Sequence, residues 1–397
     1  MARFIRGLAA AVFVSLIAGG CAIDSSTGAV ENTRQATSVT DSLVADSLVK
    51  EIRKRHAIPA MAAVVVRSDS LVAASATGVR RLGDTARVTI QDRFHLGSNT
   101  KAMTATLLAG LVEEGALSWD TTPLEAFPRL ADSIHPAYRA VTLVHLLSHR
   151  AGIAPYTDMR EYADTPDLNG SPTERRAAFS RHVLQRPPAH PPDSTFGYSN
   201  AGYTVAAAMA EQIQGESFEA MMRDRLFAAL NVEGGFGWPA ATDTDQPWGH
   251  RSTAGDSLHP RQPRGHDTLG PLLGPAGDVA MTLPDYGRFL QLHLRGLRGE
   301  ETDALPISAI RYLHESQGPM SEEADGPAYG LGWVVLDHLG ARTSGHSGSL
   351  GTFKTRAVIQ PSRNLAVAVA ANAGDEADAA TSELRDALLE RFGAPEK

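Results

Sequence analysis

Phe94-His95-Leu96-Gly97-Ser98-Asn99-Thr100-Lys101 runs straight into an apolar stretch, Ala102 to Glu114. Ser98 stands where a helix would start, and Met103, Leu107, Leu108, Leu111 and Val112 recur behind it at helical spacing. Residues three apart on a helix share a face, so the Ser98 hydroxyl and the Lys101 amine are expected to point into one pocket. A serine hydroxyl is a weak nucleophile until a base removes its proton. A lysine serves as that base only when burial or a nearby cation lowers its pKa from about 10.4. The sequence around Lys101 is nearly free of charge as far as Glu113. Ser47-x-x-Lys50 has the same spacing but lies in the charged stretch Asp46 to Arg55, which reads as a surface helix. Of 37 Lys+Arg residues, lysine occurs only at 50, 54, 101, 354 and 397. An arginine-rich chain that keeps lysine at an apolar helix start points to a need for an amine that can lose its proton, which arginine cannot do.

Outward from this helix, Met61 to Val66 and Leu71 to Gly78 read as strands joined by a hairpin at Ser68-Asp69-Ser70. Before them, Asp41 to Arg55 reads as an amphipathic helix with Leu43, Val44, Leu48, Val49 and Ile52 inward. Gly115 closes the Ser98 helix. Residues 116–325 are mainly helical, with helices over Val141 to His149, Tyr203 to Gln214 and Phe218 to Leu230. The Pro-rich run Arg186 to Asp193 interrupts them, and Gly234 to Gly277 reads as a long irregular segment of the kind that forms lids or pocket walls. Strands return at Tyr329 to Leu336, Arg342 to Ser347, Phe353 to Gln360 and Leu365 to Ala371. Pro361-Ser362-Arg363-Asn364 turns the last pair, and Glu376 to Phe392 closes the chain as a helix. The expected fold is therefore α/β (α+β): an antiparallel sheet built from both chain ends, flanked by helices, with a mainly helical inserted lobe. The sheet region spans 41–110 and 326–392 and the lobe 111–325, within one domain over 41–392.

Two further stretches carry candidate chemistry. Tyr198 and Asn200, in Phe196-Gly197-Tyr198-Ser199-Asn200, fall where a loop enters a helix. A phenol brought near Lys101 would have its pKa drawn down from about 10 and exchange protons with Ser98. Asn200 would donate to a substrate carbonyl and hold Lys101. Ser344-Gly345-His346-Ser347-Gly348-Ser349-Leu350-Gly351 ends a strand with three glycines, which lets backbone approach a bound acyl group. A Ser349 N–H paired with that of Ser98 would form an oxyanion hole. The bland alternatives are a capping tyrosine and a glycine-rich bend. His145 and His149 have a metal-compatible spacing but lack the glutamate of H-E-x-x-H. Gly197-x-Ser199-x-Ala201 fails the last position of G-x-S-x-G.

These pieces together resemble the serine β-lactamase and penicillin-binding-protein-like hydrolases, in the class C, D-alanyl-D-alanine carboxypeptidase and esterase branch. Ser98-x-x-Lys101, Tyr198-x-Asn200 and His346-Ser347-Gly348 match the three motifs in order. Val141 to Gly152 is similar to the family's "HLLSHTSG" segment, and Tyr329-Gly330-Leu331-Gly332-Trp333 to its "YGLGW" strand. The resemblance implies that Ser98 is acylated and that Lys101 and Tyr198 shuttle its proton. It implies that Asn200, His346, Ser347 and Gly348 bind substrate, that Ser98 and Ser349 N–H groups form the oxyanion hole, and that His145 and His149 pack. His346 stands where β-lactamases carry a lysine. Being largely neutral near its ordinary pKa of about 6.5, it shifts the expectation from efficient β-lactam hydrolysis toward esters and D-amino-acid peptides. The alternative is an envelope sensor that is acylated without turnover.

Composition fits an exported globular enzyme: 397 residues, 43% hydrophobic, 21% charged, formal net charge -8 and no basic run to hold nucleic acid. Residues 1–20, with Arg3, Arg6 and the apolar run Leu8 to Ile17, read as a signal peptide. Ala18-Gly19-Gly20-Cys21 resembles a lipoprotein cleavage box, which implies a lipid on Cys21, the single cysteine, and membrane association through it; ordinary cleavage near Ala22 is the alternative. Residues 21–40 read as a tether. The expected partner is a small-molecule or peptide substrate, with no cofactor and no metal.

Overall fold

The structure, a computed structural model, describes residues 39–393 apart from 163–164, 166–168, 253–256, 264–269 and 324–325. The signal peptide, Cys21 and nearly all of the tether lie outside the described residues. A seven-stranded antiparallel sheet runs in the order Leu71–Gly78, Ala60–Val66, Leu365–Ala371, Lys354–Gln360, Ala341–Ser349, Val334–His338, Ala328–Tyr329. Both chain ends thus build one sheet. Helices cover its faces, and a mainly helical segment is inserted in the chain between Leu71–Gly78 and Ala328–Tyr329, the α/β arrangement of the β-lactamase/transpeptidase type.

The two central strands are apolar at every position because both sheet faces are covered. Side chains alternate between two cores. Ala62, Val64, Val66, Ala366, Ala368 and Ala370 enter the larger core, with the Thr100–Glu113 and Leu283–Arg298 helices. Met61, Ala63, Val65, Val367 and Val369 enter the smaller one, with the Val39–Arg55 and Asp378–Phe392 helices. Small side chains on the inner face let the Leu283–Arg298 helix approach closely: a Cβ on Gly287 would lie 3.0 Å from Val66 and 3.1 Å from Val64. The first helix is anchored by Ala45, Val49 and Ile52, spaced i, i+4, i+7, while Leu43 is 64% exposed. Leu43 is therefore not an inward position, because it lies off that stripe.

Several elements differ from the expected ones for local reasons. The Val141 to His149 helix is only Leu143–Leu147: Thr142 caps it in extended conformation, and His149 leaves it at φ +61°. The Tyr329 to Leu336 strand is broken into two. Gly330 and Gly332 bridge the break because the Leu313–Glu315 backbone and the Lys101–Ala102 backbone press against them, within 2.5 and 2.8 Å of an added Cβ. The Gly234 to Gly277 stretch is less irregular than its composition implies. Gly234–Phe236 pairs with Val279–Thr282, which also pairs with Arg93–His95, in a small second sheet. Among the described residues no helix is long and apolar enough to cross a membrane.

One buried ion cluster fixes the inserted segment. Arg176, fully buried, donates from Nε and Nη2 to Glu211 at 3.1 and 2.5 Å, and from Nη1 and Nη2 to Glu219 at 2.8 and 2.9 Å. Its Nη1 also donates to the Pro271 carbonyl at 2.6 Å. Removing one member of such a cluster strands buried charge, at about 3–5 kcal/mol. Arg176→Ala is expected to lower unfolding free energy by that amount in urea titration; a change below about 1 kcal/mol would show that the cluster does not carry this load.

Candidate active site

Ser98 lies in a tight 3₁₀ turn, Gly97–Asn99, that leads into the Thr100–Glu113 helix. In such a turn residues three apart eclipse, so Ser98 and Lys101 share a face. Ser98 is partly exposed while its neighbours are buried. The turn is held from several sides: Asn99 Nδ2 donates to Leu96 O at 3.0 Å, and Tyr286 O–H donates to Asn99 Oδ1 at 3.0 Å.

Lys101 is fully buried. Its Nζ lies 2.7 Å from Asn200 Oδ1, 2.7 Å from Ala276 O and 3.2 Å from Ser98 Oγ. None of these partners is an acid, and burial holds the amine well below its ordinary pKa. A neutral amine has two N–H bonds and one lone pair. The amide oxygen and the carbonyl can only accept, so they take both N–H bonds and leave the lone pair facing the Ser98 hydroxyl.

Both acceptors are themselves fixed. Asn200 Nδ2 donates to Tyr156 O at 3.0 Å, which turns Oδ1 toward Lys101. The Pro271-to-Gly277 segment is pinned carbonyl by carbonyl. Arg176 holds Pro271 O, Thr204 Oγ1 donates to Leu272 O at 3.3 Å, and Thr104 Oγ1 donates to Pro275 O at 2.7 Å.

The Tyr198 phenol lies close enough to the Ser98 hydroxyl to feel it, and its ring lies under Lys101 Nζ at 4.8 Å from the centroid. Its pKa moves the opposite way from the expected one. Burial pushes the phenol up to about 12, only partly offset by the nearby Ser98 hydroxyl. A neutral Lys101 supplies no cation to draw it down, so the expectation of a depressed phenol is corrected.

His149, read from the sequence as packing, brackets Tyr198. Its carbonyl accepts the Gly197 N–H at 2.8 Å, its Nδ1 accepts the Ser199 N–H at 3.1 Å, and its ring packs on Tyr198 at 4.4 Å between centroids. Burial holds its pKa well below 6.5. His145 caps its own short helix through Thr142. Among the described residues no group of His, Cys, Asp or Glu is arranged to hold a metal ion.

His346 is buried on the strand beside the turn. The Ser347 carbonyl, 2.8 Å from Nδ1, can only accept, so Nδ1 carries the proton and Nε2 accepts from Tyr329 O–H at 3.0 Å. Burial brings its pKa down to about 3. Ser347 is exposed, and strand alternation turns its side chain to the opposite face from His346. Gly348 and Ser349 sit against the Ser98 turn: a Cβ on Gly97, at φ +53°, would lie 2.7 Å from the Ser349 nitrogen. A Cβ on Gly348 would lie 1.9 Å from Leu96 O. The structure thus gathers Ser98, Lys101, Tyr198, Asn200, Gly348 and the Ser349 amide, with His346 behind Tyr329. The contributions of Ala276 O and Tyr156 O had no signal in the sequence because any residue type offers a carbonyl.

Gly348→Ala is expected to force this strand off the turn, costing about 1–3 kcal/mol of stability by urea titration. Unchanged stability would mean that the contact relaxes freely.

The Beta-lactamase family profile matches residues 45–391. Penicillin-binding protein 4 of Amycolatopsis lactamdurans is 28% identical over 346 residues, covering 86% of this chain and 87% of that protein. The chain spans 59% to 63% of the length of several other curated relatives. The octameric penicillin-binding protein homologue from Pyrococcus abyssi superposes with a TM-score of 0.73 at 23% identity, over 89% of this chain and 78% of that one. SurE, solved with D-Leu, gives a TM-score of 0.67 at 26% identity, over 89% and 75%. With a profile match over nearly all of the described domain, this chain belongs to the Beta-lactamase family.

Proposed function

We propose that the protein is a serine hydrolase that forms an acyl-enzyme on Ser98 with an ester or a D-amino-acid peptide, with at most weak action on β-lactams. The observation that carries this reading is the Lys101 amine, whose two N–H bonds are consumed by Asn200 Oδ1 and Ala276 O while Ser98 Oγ lies 3.2 Å away. In this reading Lys101 accepts the Ser98 proton as Oγ attacks the substrate carbonyl. The Ser98 and Ser349 N–H groups stabilise the oxyanion. Tyr198, still protonated, donates to the leaving group and is reprotonated from Lys101, so the serine proton ends on the departing oxygen or nitrogen. Water then attacks the ester on Ser98, with the same groups taking its proton.

The substrate class follows from charge. Lys101 and His346 are both held toward their neutral forms, so neither is a fixed cation for a carboxylate. The solution of SurE with D-Leu supports the D-amino-acid option. Export, with a lipid on Cys21, would place the domain outside the cytoplasmic membrane.

The test is a panel of short-chain p-nitrophenyl esters, D-alanyl peptides and a chromogenic cephalosporin, with fluorophosphonate labelling located by mass. Turnover and Ser98 labelling are expected, with Ser98→Ala and Lys101→Ala each lowering kcat/KM by roughly 10³-fold or more, and Tyr198→Phe lowering kcat by about 10²–10⁴-fold. Retained activity in Ser98→Ala would reject the nucleophile, and one burst without turnover would favour the acylatable sensor.

The pH profile has a defined sign. The reactive form carries a neutral Lys101, so kcat/KM falls as pH drops through that residue's depressed pKa. It does not fall through pH of about 10, where an ordinary phenol ionises, because Tyr198 keeps its proton to about 12. A descending limb near the ordinary phenol value would contradict the role given to Tyr198.

A further inference from the structure

His95 and Asp278 lie outside the motifs, yet both are buried, and each belongs to a turn that presents an atom to the site. The Gly97 N–H, in the peptide before Ser98, donates to His95 Nδ1 at 3.1 Å. A backbone N–H can only donate, so Nδ1 holds the lone pair and the proton is on Nε2. Nε2 faces Asp278 Oδ1 at 3.2 Å. Asp278 follows Ala276 by two residues, and its own N–H donates to Gly274 O at 3.1 Å, closing the turn that displays the Ala276 carbonyl. The ring is fixed by tilted contacts with Trp238 and Phe353, each 6.3 Å between centroids, and Thr355 Oγ1 donates to the His95 carbonyl at 3.1 Å.

We infer that His95 and Asp278 form a positioning pair. It locks the turn carrying Ser98 to the turn carrying the Ala276 carbonyl, so the Lys101 lone pair stays aimed at Ser98 Oγ. Neither side chain touches Lys101 or Ser98; the pair acts through the Gly97 amide at one end and the 274–278 turn at the other. A rigid link is needed there because Lys101 spans both turns, and a shift of either one rotates the lone pair away. The inference rests on the reading of Ser98 and Lys101 given above.

Four variants separate the link from mere filling of space. Asp278→Ala removes the acceptor, whereas Asp278→Asn keeps an oxygen that accepts from Nε2. His95→Asn keeps an acceptor near the Gly97 amide but loses the reach to Asp278. Ser98→Ala leaves the pair intact. Hydrogen exchange is read on peptides covering 94–100 and 274–280, with 378–392 as the reference for global loosening. Kinetics are read on the best ester, alongside the fluorophosphonate labelling rate.

Asp278→Ala is expected to speed exchange in 94–100, and His95→Asn in 274–280, with the reference segment unchanged. Both are expected to lower kcat by about 10- to 100-fold with KM within about 3-fold, and Asp278→Asn to recover most of that loss. Faster exchange confined to the substituted turn, unchanged kcat, or an Asp278→Asn variant as slow as Asp278→Ala would each overturn the inference. Exchange is read without turnover. A wild type that fails to label at Ser98 therefore refutes the nucleophile, while the cross-turn exchange still decides the link.

Discussion

The site depends on a buried amine that has oxygen partners but no acid. An ammonium without a counter-ion is strongly disfavoured in such surroundings, and the group escapes the cost by giving up its proton. Lys101 meets that condition: it is fully buried, and Asn200, Ala276 and Ser98 are all uncharged. A carboxylate at any of these three places would restore the ammonium and remove the base. Arginine there would stay charged whatever its burial. The surroundings therefore decide both the protonation state and, by using up both N–H bonds, the direction of the lone pair.

That arrangement requires three distant segments to meet around one nitrogen. The scaffold achieves it mostly through carbonyls. The Pro271-to-Gly277 segment is held at four carbonyl oxygens by Arg176, Thr204, Thr104 and Lys101. Two left-handed non-glycine residues, His149 and Tyr156, stand at the site, at φ 61° and 49°. Left-handed backbone at a histidine and a tyrosine costs free energy and persists only where the surroundings fix it. Here the His149 carbonyl and ring fix Tyr198, and the Tyr156 carbonyl fixes Asn200.

Much of this was legible in the sequence, because elements buried on both faces or all sides read as uninterrupted apolar runs. The central strands and the Thr100–Glu113 helix have this property, and their expected limits lie within a residue or two of the observed ones. Legibility fails where tertiary contact overrides local pattern. The Val141 to His149 helix looked longer than it is because apolar spacing continues past the points where Thr142 caps it and His149 turns away. Tyr329 to Leu336 looked like one strand because the helix start that interrupts it is far off in sequence. The motif residues were readable as types. The carbonyl partners were not, since backbone chemistry leaves no mark on residue identity.

The phenol is the instructive failure. A tyrosine beside a lysine suggests a phenolate beside an ammonium, and that pair has the same proton count as a phenol beside an amine. Burial separates the two. Moving two charged groups out of water costs more than their attraction returns unless further partners satisfy them, and here the amine's partners are neutral. The neutral pair is therefore the resting state, with Lys101 lowered and Tyr198 raised by the same cause. In the mechanism proposed above, that state gives the serine proton one acceptor, the amine, and the leaving group one donor, the phenol. The neutral His346, with both ring nitrogens engaged inside the protein, adds no charge to disturb this division. On the proposed reading, such a site favours an uncharged group at the point of attack, because the desolvation that would make Lys101 a base also keeps it and His346 from serving as fixed cations for an anionic substrate.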